Sequence, residues 1–277
     1  MWRNMIMDIN VLKKHAQNVR RNIIEMVYAA QSGHPGGSLG SADILTYLYF
    51  EEMNITDTNK ASTDRDRFVL SKGHCSPGLY GILKEAGLID DDIHTFRQLG
   101  SRLQGHPNMN YIEAIDMSTG SLGQGVSTAV GMAIANKLDK NENRVYALCG
   151  DGESEEGIVW EALMAACHYG LDNLCIIFDQ NGLQIDGNVQ DVIGPLPLKE
   201  KAEAFGAYTV ECDGNDFDSL AAAFKKAREN KGKPTVIIAH TVKGKGVSYM
   251  ENNYAWHGAA PKEDDYKTAM EDLKEVN

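Results

Sequence analysis

The chain has 277 residues, 43% of them hydrophobic, enough to bury one sizeable core. Its net charge is −12 and no lysine or arginine run interrupts the acidic excess, which excludes an electrostatic footprint for nucleic acid. No apolar run reaches membrane-spanning length, no signal-peptide core opens the sequence, and the five cysteines form no CxxC pair, a pattern that suits a reducing, cytoplasmic compartment without a membrane partner.

Apolar residues at Leu12, Val19, Ile23, Met26, Val27 and Ala30 follow a helical period between Asp8 and Ser32, with Gly33 as the stop. Five β-rich runs follow: Arg67 to Leu70, Arg144 to Cys149, Asn173 to Asp179, Tyr208 to Cys212 and Thr235 to Ala239. Helical stretches separate them, including a small-residue helix ending near Lys137 and one from Glu156 to Tyr169. Strands that alternate with helices and read as continuous apolar runs, such as Leu174 to Phe178, predict a doubly wound α/β fold: a mostly parallel sheet with helices on both faces. The glycine-rich stretch from Lys243 to Pro261 is the one place for a flexible connection, so a single domain over residues 1–277 is expected. The charged helical segment from Asp264 to Val276 reads as a natural terminus.

Asp151, in Gly150-Asp151-Gly152, stands just past one strand, and Asn181 stands just past the next. Right-handed crossovers make such strands parallel, so both residues meet at the carboxyl edge of the sheet and can share a ligand. A carboxylate, an amide oxygen and a backbone carbonyl near Leu183 suit magnesium, which keeps other positions for waters and phosphates. The glycines allow close approach to a diphosphate, and a helix start nearby offers free N–H groups. Taken singly, Asp-Gly and Asn-Gly are also ordinary turn formers. Four histidines sit in polar, glycine- or proline-bearing contexts: Gly33-His34-Pro35, Lys72-Gly73-His74, Gly105-His106-Pro107 and Trp256-His257-Gly258. Near neutral pH they can exchange protons or donate hydrogen bonds, or simply be loop residues that are exposed or cap a helix. The loop from Ser118 to Gly125 introduces a helix that Ser118 or Thr119 could cap.

The glycine-aspartate-glycine start and the Asp179-Gln180-Asn181-Gly182 end resemble the thiamine-diphosphate motif of transketolases, and the glycine loop and histidine contexts match that family in the same order. The resemblance implies thiamine diphosphate as cofactor, with Asp151, Asn181 and the Leu183 carbonyl holding magnesium, or calcium or manganese in its place. It implies sugar contact for His34, His106 and His257, approach of His74 and His257 to the cofactor, and a cofactor lining of Gly120, Ser121, Leu122, Gly152 and Asn181. Glu156 matches a glutamate that joins a proton network at the subunit interface; otherwise it is a first-turn carboxylate favoured by the helix dipole. Ser121 replaces the proline common in this loop, and His240 stands where full-length members often carry lysine.

Single-chain transketolases continue into a pyrimidine-binding domain and a C-terminal domain, and one glutamate of the former promotes the cofactor's imino tautomer. The implied protein is therefore the N-terminal subunit of a split transketolase, active only with a C-terminal subunit in an assembly with two copies of each. It would move a two-carbon ketol unit from a ketose phosphate to an aldose phosphate, as in the non-oxidative pentose phosphate pathway. Alternatives are a split enzyme for an unusual sugar, a deoxyxylulose-phosphate synthase, a non-catalytic cofactor-binding scaffold, and a domain excised from a longer chain.

Overall fold

A computed structural model describes residues 7–274. The helices, in chain order, are α1 (Ile9–Ala30), α2 (Pro35–Gly40), α3 (Ala42–Tyr47), α4 (Ser76–Glu85), α5 (Gln124–Leu138), α6 (Gly157–His168), α7 (Val189–Val192), α8 (Leu198–Ala204), α9 (Phe217–Glu229) and α10 (Glu263–Asp272). The strands are β1 (Arg67–Leu70), β2 (Val145–Gly150), β3 (Leu174–Gln180), β4 (Leu183–Gln184), β5 (Gly187–Asn188), β6 (Tyr208–Asp213) and β7 (Thr235–His240). Five of them form one all-parallel sheet in the order β1-β2-β3-β7-β6, while β4 and β5 make a small antiparallel hairpin after β3.

Alternate residues of each central strand feed two cores. Tyr146, Leu148, Cys175, Ile177 and Ile237 pack with Val19, Ile23, Leu45, Leu83 and Phe224 from α1, α3, α4 and α9. Val145, Ala147, Leu174, Ile176, Phe178 and Ile238 pack with Val126, Ala129, Val159, Leu163 and Ala202 from α5, α6 and α8. This is the expected doubly wound arrangement, and it explains why the strands read as unbroken apolar runs: both faces are dry. Among the described residues no helix is long and apolar enough to cross a membrane.

The five sequence-predicted strands lie within about one residue of their expected bounds. Four local readings are corrected. α1 begins after Asp8, whose carboxylate accepts the Asn10 N–H at 2.7 Å, but it ends at Gln31 in the left-handed region rather than at Gly33. α5 is capped by neither Ser118 nor Thr119; Gly123, at φ 79°, precedes it, because the chain from Ser118 to Leu122 crosses the sheet edge in irregular backbone. The stretch from Lys243 to Pro261 is no flexible connection. It folds back onto the domain: the Gly244 N–H donates to the Gly36 carbonyl at 2.9 Å, the Asn252 N–H to the Lys243 carbonyl at 2.9 Å, and Val247 and Met250 are fully buried. At the other end α10 stops at Asp272, and the last residues of the expected segment, 275–277, lie outside the described ones.

Candidate active site

Parallel register brings the ends of β2 and β3 level, Gly150 opposite Asp179, and the ends of β3 and β7 level, Gln180 opposite His240. Side chains just past these strands therefore surround one cavity of about 280 Å³ at the carboxyl edge. His34, His74, Gly120, Leu122, Asp151, Gly152, Asn181, Leu183 and His257 all line it. Three expected residues do not. Ser121 is exposed beside its lining neighbours; Glu156 is exposed at the start of α6 and caps it with no side-chain hydrogen bond; His106 opens onto a neighbouring cleft.

Asp151 is 2% exposed. Its Oδ2 accepts the Gly182 N–H at 2.5 Å and its Oδ1 the Gly152 N–H at 2.9 Å. Burial, with Asp179 nearby, nevertheless pushes its carboxyl up to about 6, the signature of a carboxylate short of positive charge. Asn181 donates to Asp179 Oδ2 at 3.4 Å while its Oδ1 accepts the Leu183 N–H at 3.1 Å. The Leu183 carbonyl accepts from Lys243 Nζ at 3.0 Å, and a carbonyl has a second lone pair to offer. One carboxylate, one amide oxygen and one carbonyl on adjacent loops fit a hard divalent ion that completes its sphere with waters and phosphate oxygens. Among the described residues no group of three or more His, Cys, Asp or Glu is placed to hold a metal. The helix start expected to supply free N–H groups stands further off: a 3₁₀ turn, Gly152–Glu155, intervenes before α6, and the Gly152 N–H is taken by Asp151 itself.

The three histidines facing the cavity form one cluster, with ring centroids 5.2 Å apart for His34 and His74, 5.1 Å for His74 and His257, and 5.5 Å for His34 and His257. Burial first, then neighbouring rings and lysines, lowers His34 and His74 to about 4 and His257 to about 2. All three are neutral at pH 7, so each offers one N–H and one acceptor nitrogen. For His257 the assignment follows from its neighbour: Lys243 Nζ lies 2.9 Å from Nδ1, and an ammonium only donates, which leaves the proton on Nε2. His34 Nδ1 is buried with no partner.

Five residues that build the site were missed from sequence. Lys72 is 2% exposed and pairs with the fully buried Asp179, while also reaching the Gly37 carbonyl at 3.1 Å and Ser41 Oγ at 3.3 Å. Burial pulls its ammonium down, but Asp179 overrides this and the net shift is upward. Thr241 donates to the other oxygen of Asp179. Glu153 ties three loops together: its Oε1 accepts from Ser71 Oγ at 2.6 Å and from the Gly123 N–H at 2.7 Å, and its Oε2 from the Gly150 N–H at 2.9 Å. Lys243 is the fifth, lowered by burial and lining the cavity. Its signal was the stretch read as a connection; those of Lys72 and Asp179 were their places in Lys72-Gly73-His74 and Asp179-Gln180-Asn181. His240, at the end of β7, stays exposed beside Gln180 and Glu211.

Residues 11–274 match the family described as transketolase, thiamine diphosphate binding domain. The chain is 40% identical over 270 residues to an apulose-4-phosphate transketolase subunit of Phocaeicola vulgatus, covering 97% of this chain and 96% of that one. It is 40% identical over 264 residues to the 6-deoxy-6-sulfo-D-fructose transketolase subunit SqwG of Clostridium sp. (strain MSTE9), covering 95% and 96%. The solved transketolase of Campylobacter jejuni superposes with a TM-score of 0.90 at 36% identity over 96% of this chain, which spans only 43% of the length of that enzyme. With the family matched along almost its whole length and relatives of this identity, the chain belongs to the transketolase family of enzymes and carries that family's thiamine-diphosphate-binding domain.

Proposed function

We propose that the chain is the N-terminal subunit of a split transketolase, folded as a single domain, which transfers a two-carbon ketol unit from a ketose to an aldose once a separate C-terminal subunit completes the site. The observation that carries this reading is one cavity that joins Asp151, Asn181 and the Leu183 carbonyl to three neutral histidines. The near-equal lengths shared with the two relatives named as subunits support the split arrangement. Two copies of each chain and a cytoplasmic location complete the reading, the latter supported by five unpaired cysteines.

Thiamine diphosphate, when bound, supplies a carbon nucleophile for breaking and remaking the bond beside the ketose carbonyl. Asp151, Asn181 and the Leu183 carbonyl would hold Mg2+ against its diphosphate, with Gly120, Leu122 and Gly152 as the close wall and Lys243 as added positive charge. His34, His74 and His257 supply neutral N–H donors and acceptors to sugar hydroxyls, and their low proton affinity keeps the cluster free of mutual repulsion at working pH. His106 and Ser121 belong to the outer wall, and Glu156 to the surface facing other subunits. Pentose phosphate pathway sugars are one substrate set; the relatives' names add apulose 4-phosphate and 6-deoxy-6-sulfofructose as the others.

The deciding assay measures thiamine-diphosphate-dependent ketol transfer by the chain alone and mixed with its C-terminal partner, offering xylulose 5-phosphate, apulose 4-phosphate and 6-deoxy-6-sulfofructose in turn as donors. Activity only in the mixture is expected, and the preferred donor fixes the substrate set. Cofactor binding without turnover of any donor would make the chain a scaffold instead.

A further inference from the structure

The loop from Ser118 to Leu122, which walls the cofactor cavity, has little of its own to hold it. Among the described residues its one backbone–backbone hydrogen bond is long, from the Gln124 N–H to the Ser121 carbonyl at 3.4 Å. Ser118 Oγ ties down the entry by accepting the Met109 N–H at 3.1 Å. The exit is tied at Gly123, whose N–H donates to Glu153 Oε1 at 2.7 Å. Between these two points stand Gly120 and Leu122, both lining the cavity.

Glu153 is a costly anchor. It is 3% exposed, its two oxygens take three neutral donors, and among the described residues it pairs with no lysine, arginine or histidine. A buried carboxylate without a counter-ion burdens a fold. It also lines the cavity where Asp151 already places one carboxylate, so its charge by itself opposes a diphosphate. Its contacts supply registry instead. Ser71 follows β1 and leads to His74, Gly150 ends β2 and adjoins Asp151, and Gly123 closes the glycine loop. The pieces touch without slack: a Cβ at Gly73 would stand 2.7 Å from the Gly120 nitrogen, and one at Gly125 would stand 2.7 Å from Ser71 Cα.

We propose that Glu153 is a positioning residue for the cofactor: its carboxylate fixes the Gly120–Leu122 wall against Asp151 and His74, and thereby sets the affinity for thiamine diphosphate. The identity of that ligand rests on the transketolase reading; the fastening of the loop does not. Position and charge make opposite demands. A residue that acts by position weakens binding when it is shortened, whereas one that acts by its negative charge strengthens binding when the charge is removed.

Calorimetric titration of thiamine diphosphate into the complex with the partner subunit, at saturating Mg2+, tests the proposal. Glu153→Ala is expected to bind about tenfold more weakly. Ser71→Ala, which keeps the charge and removes one arm, should lose about threefold. Glu153→Gln should fall between the parent and Glu153→Ala, because its one oxygen can still serve Ser71 and Gly123 while its NH2 faces the Gly150 N–H. In turnover, Glu153→Ala should raise the KM for thiamine diphosphate about tenfold and lower kcat at saturating cofactor by less than about threefold. In ligand-free, isotope-labelled chain the Gly123 amide resonance should move in Glu153→Ala and stay near its parent position in Glu153→Gln. Should Glu153→Ala not fold, Ser71→Ala and Glu153→Gln decide. Unchanged or tighter binding in the Glu153 variants, or parent affinity with the loss confined to kcat, would overturn the assignment. A parent complex that binds no thiamine diphosphate would overturn the cofactor reading itself, and the proposal with it; that outcome is distinct from a parent that binds and variants that bind equally well.

Discussion

Asp151, the carboxylate proposed above to hold the metal, is a burden to the fold that carries it. Its carboxyl, raised to about 6, is ionised at neutral pH at a cost, so Asp151→Asn should stabilise the ligand-free chain by about 1–2 kcal/mol, even after losing an acceptor for one of its two N–H donors. The same change should abolish the rise in Tm that Mg2+ with thiamine diphosphate gives the parent chain. A variant no more stable, or still stabilised by metal and cofactor, would remove Asp151 from the ion site. The histidine cluster makes a second claim. His34 and His74, lowered to about 4, and His257, lowered to about 2, should keep neutral ring signals in NMR at pH 5.5, where an ordinary histidine is largely charged. Below pH 6.5 the unfolded chain takes up these protons and the folded chain does not. Their contribution to stability is thus complete above 6.5 and is lost as pH falls toward the folded values. Ring titrations centred near 6.5 would mean an open, hydrated cluster.

At the scale of elements, the sheet was legible because its strands are dry on both faces. Leu174 to Phe178 has no polar residue to break the run, and only a two-sided core demands that. What stayed illegible were contacts made by local conformation and by distance along the chain. α2 and α3 are six-residue helices, too short for a periodic signal, and the partner of Lys72 lies 107 residues away. The stretch after Lys243 misled for a different reason. Its glycines suggested freedom, whereas Gly244 and Asn252 are fixed by backbone hydrogen bonds across the loop. Hydrogen exchange is expected to show the amides of Gly244, Met250 and Asn252 protected; exchange as fast as in a free peptide would restore the reading as a linker.

Over the whole molecule, the site draws on loops after β1, β2, β3 and β7 and on the entry to α2, so holding the cofactor fastens elements from both cores. Saturating the chain with thiamine diphosphate and Mg2+ should therefore raise its midpoint of unfolding as one cooperative transition, by about 2.7 kcal/mol at a hundredfold excess over Kd. Two separate transitions, one of them insensitive to ligand, would show that the layers unfold independently. Asp151, Asn181 and Leu183 were legible together because strand ends in a parallel sheet converge, and the other six lining candidates came from the family resemblance; Glu153 was not legible, since one glutamate among several after Asp151 carries no mark of what it will touch.

The carboxylate of Glu153 fastens the glycine loop to two strand ends: the Ser71 hydroxyl after β1, the Gly150 N–H at the end of β2 and the Gly123 N–H all meet on its two oxygens. Moving that loop onto another sheet would require moving Glu153 with it, because one side chain makes all three contacts.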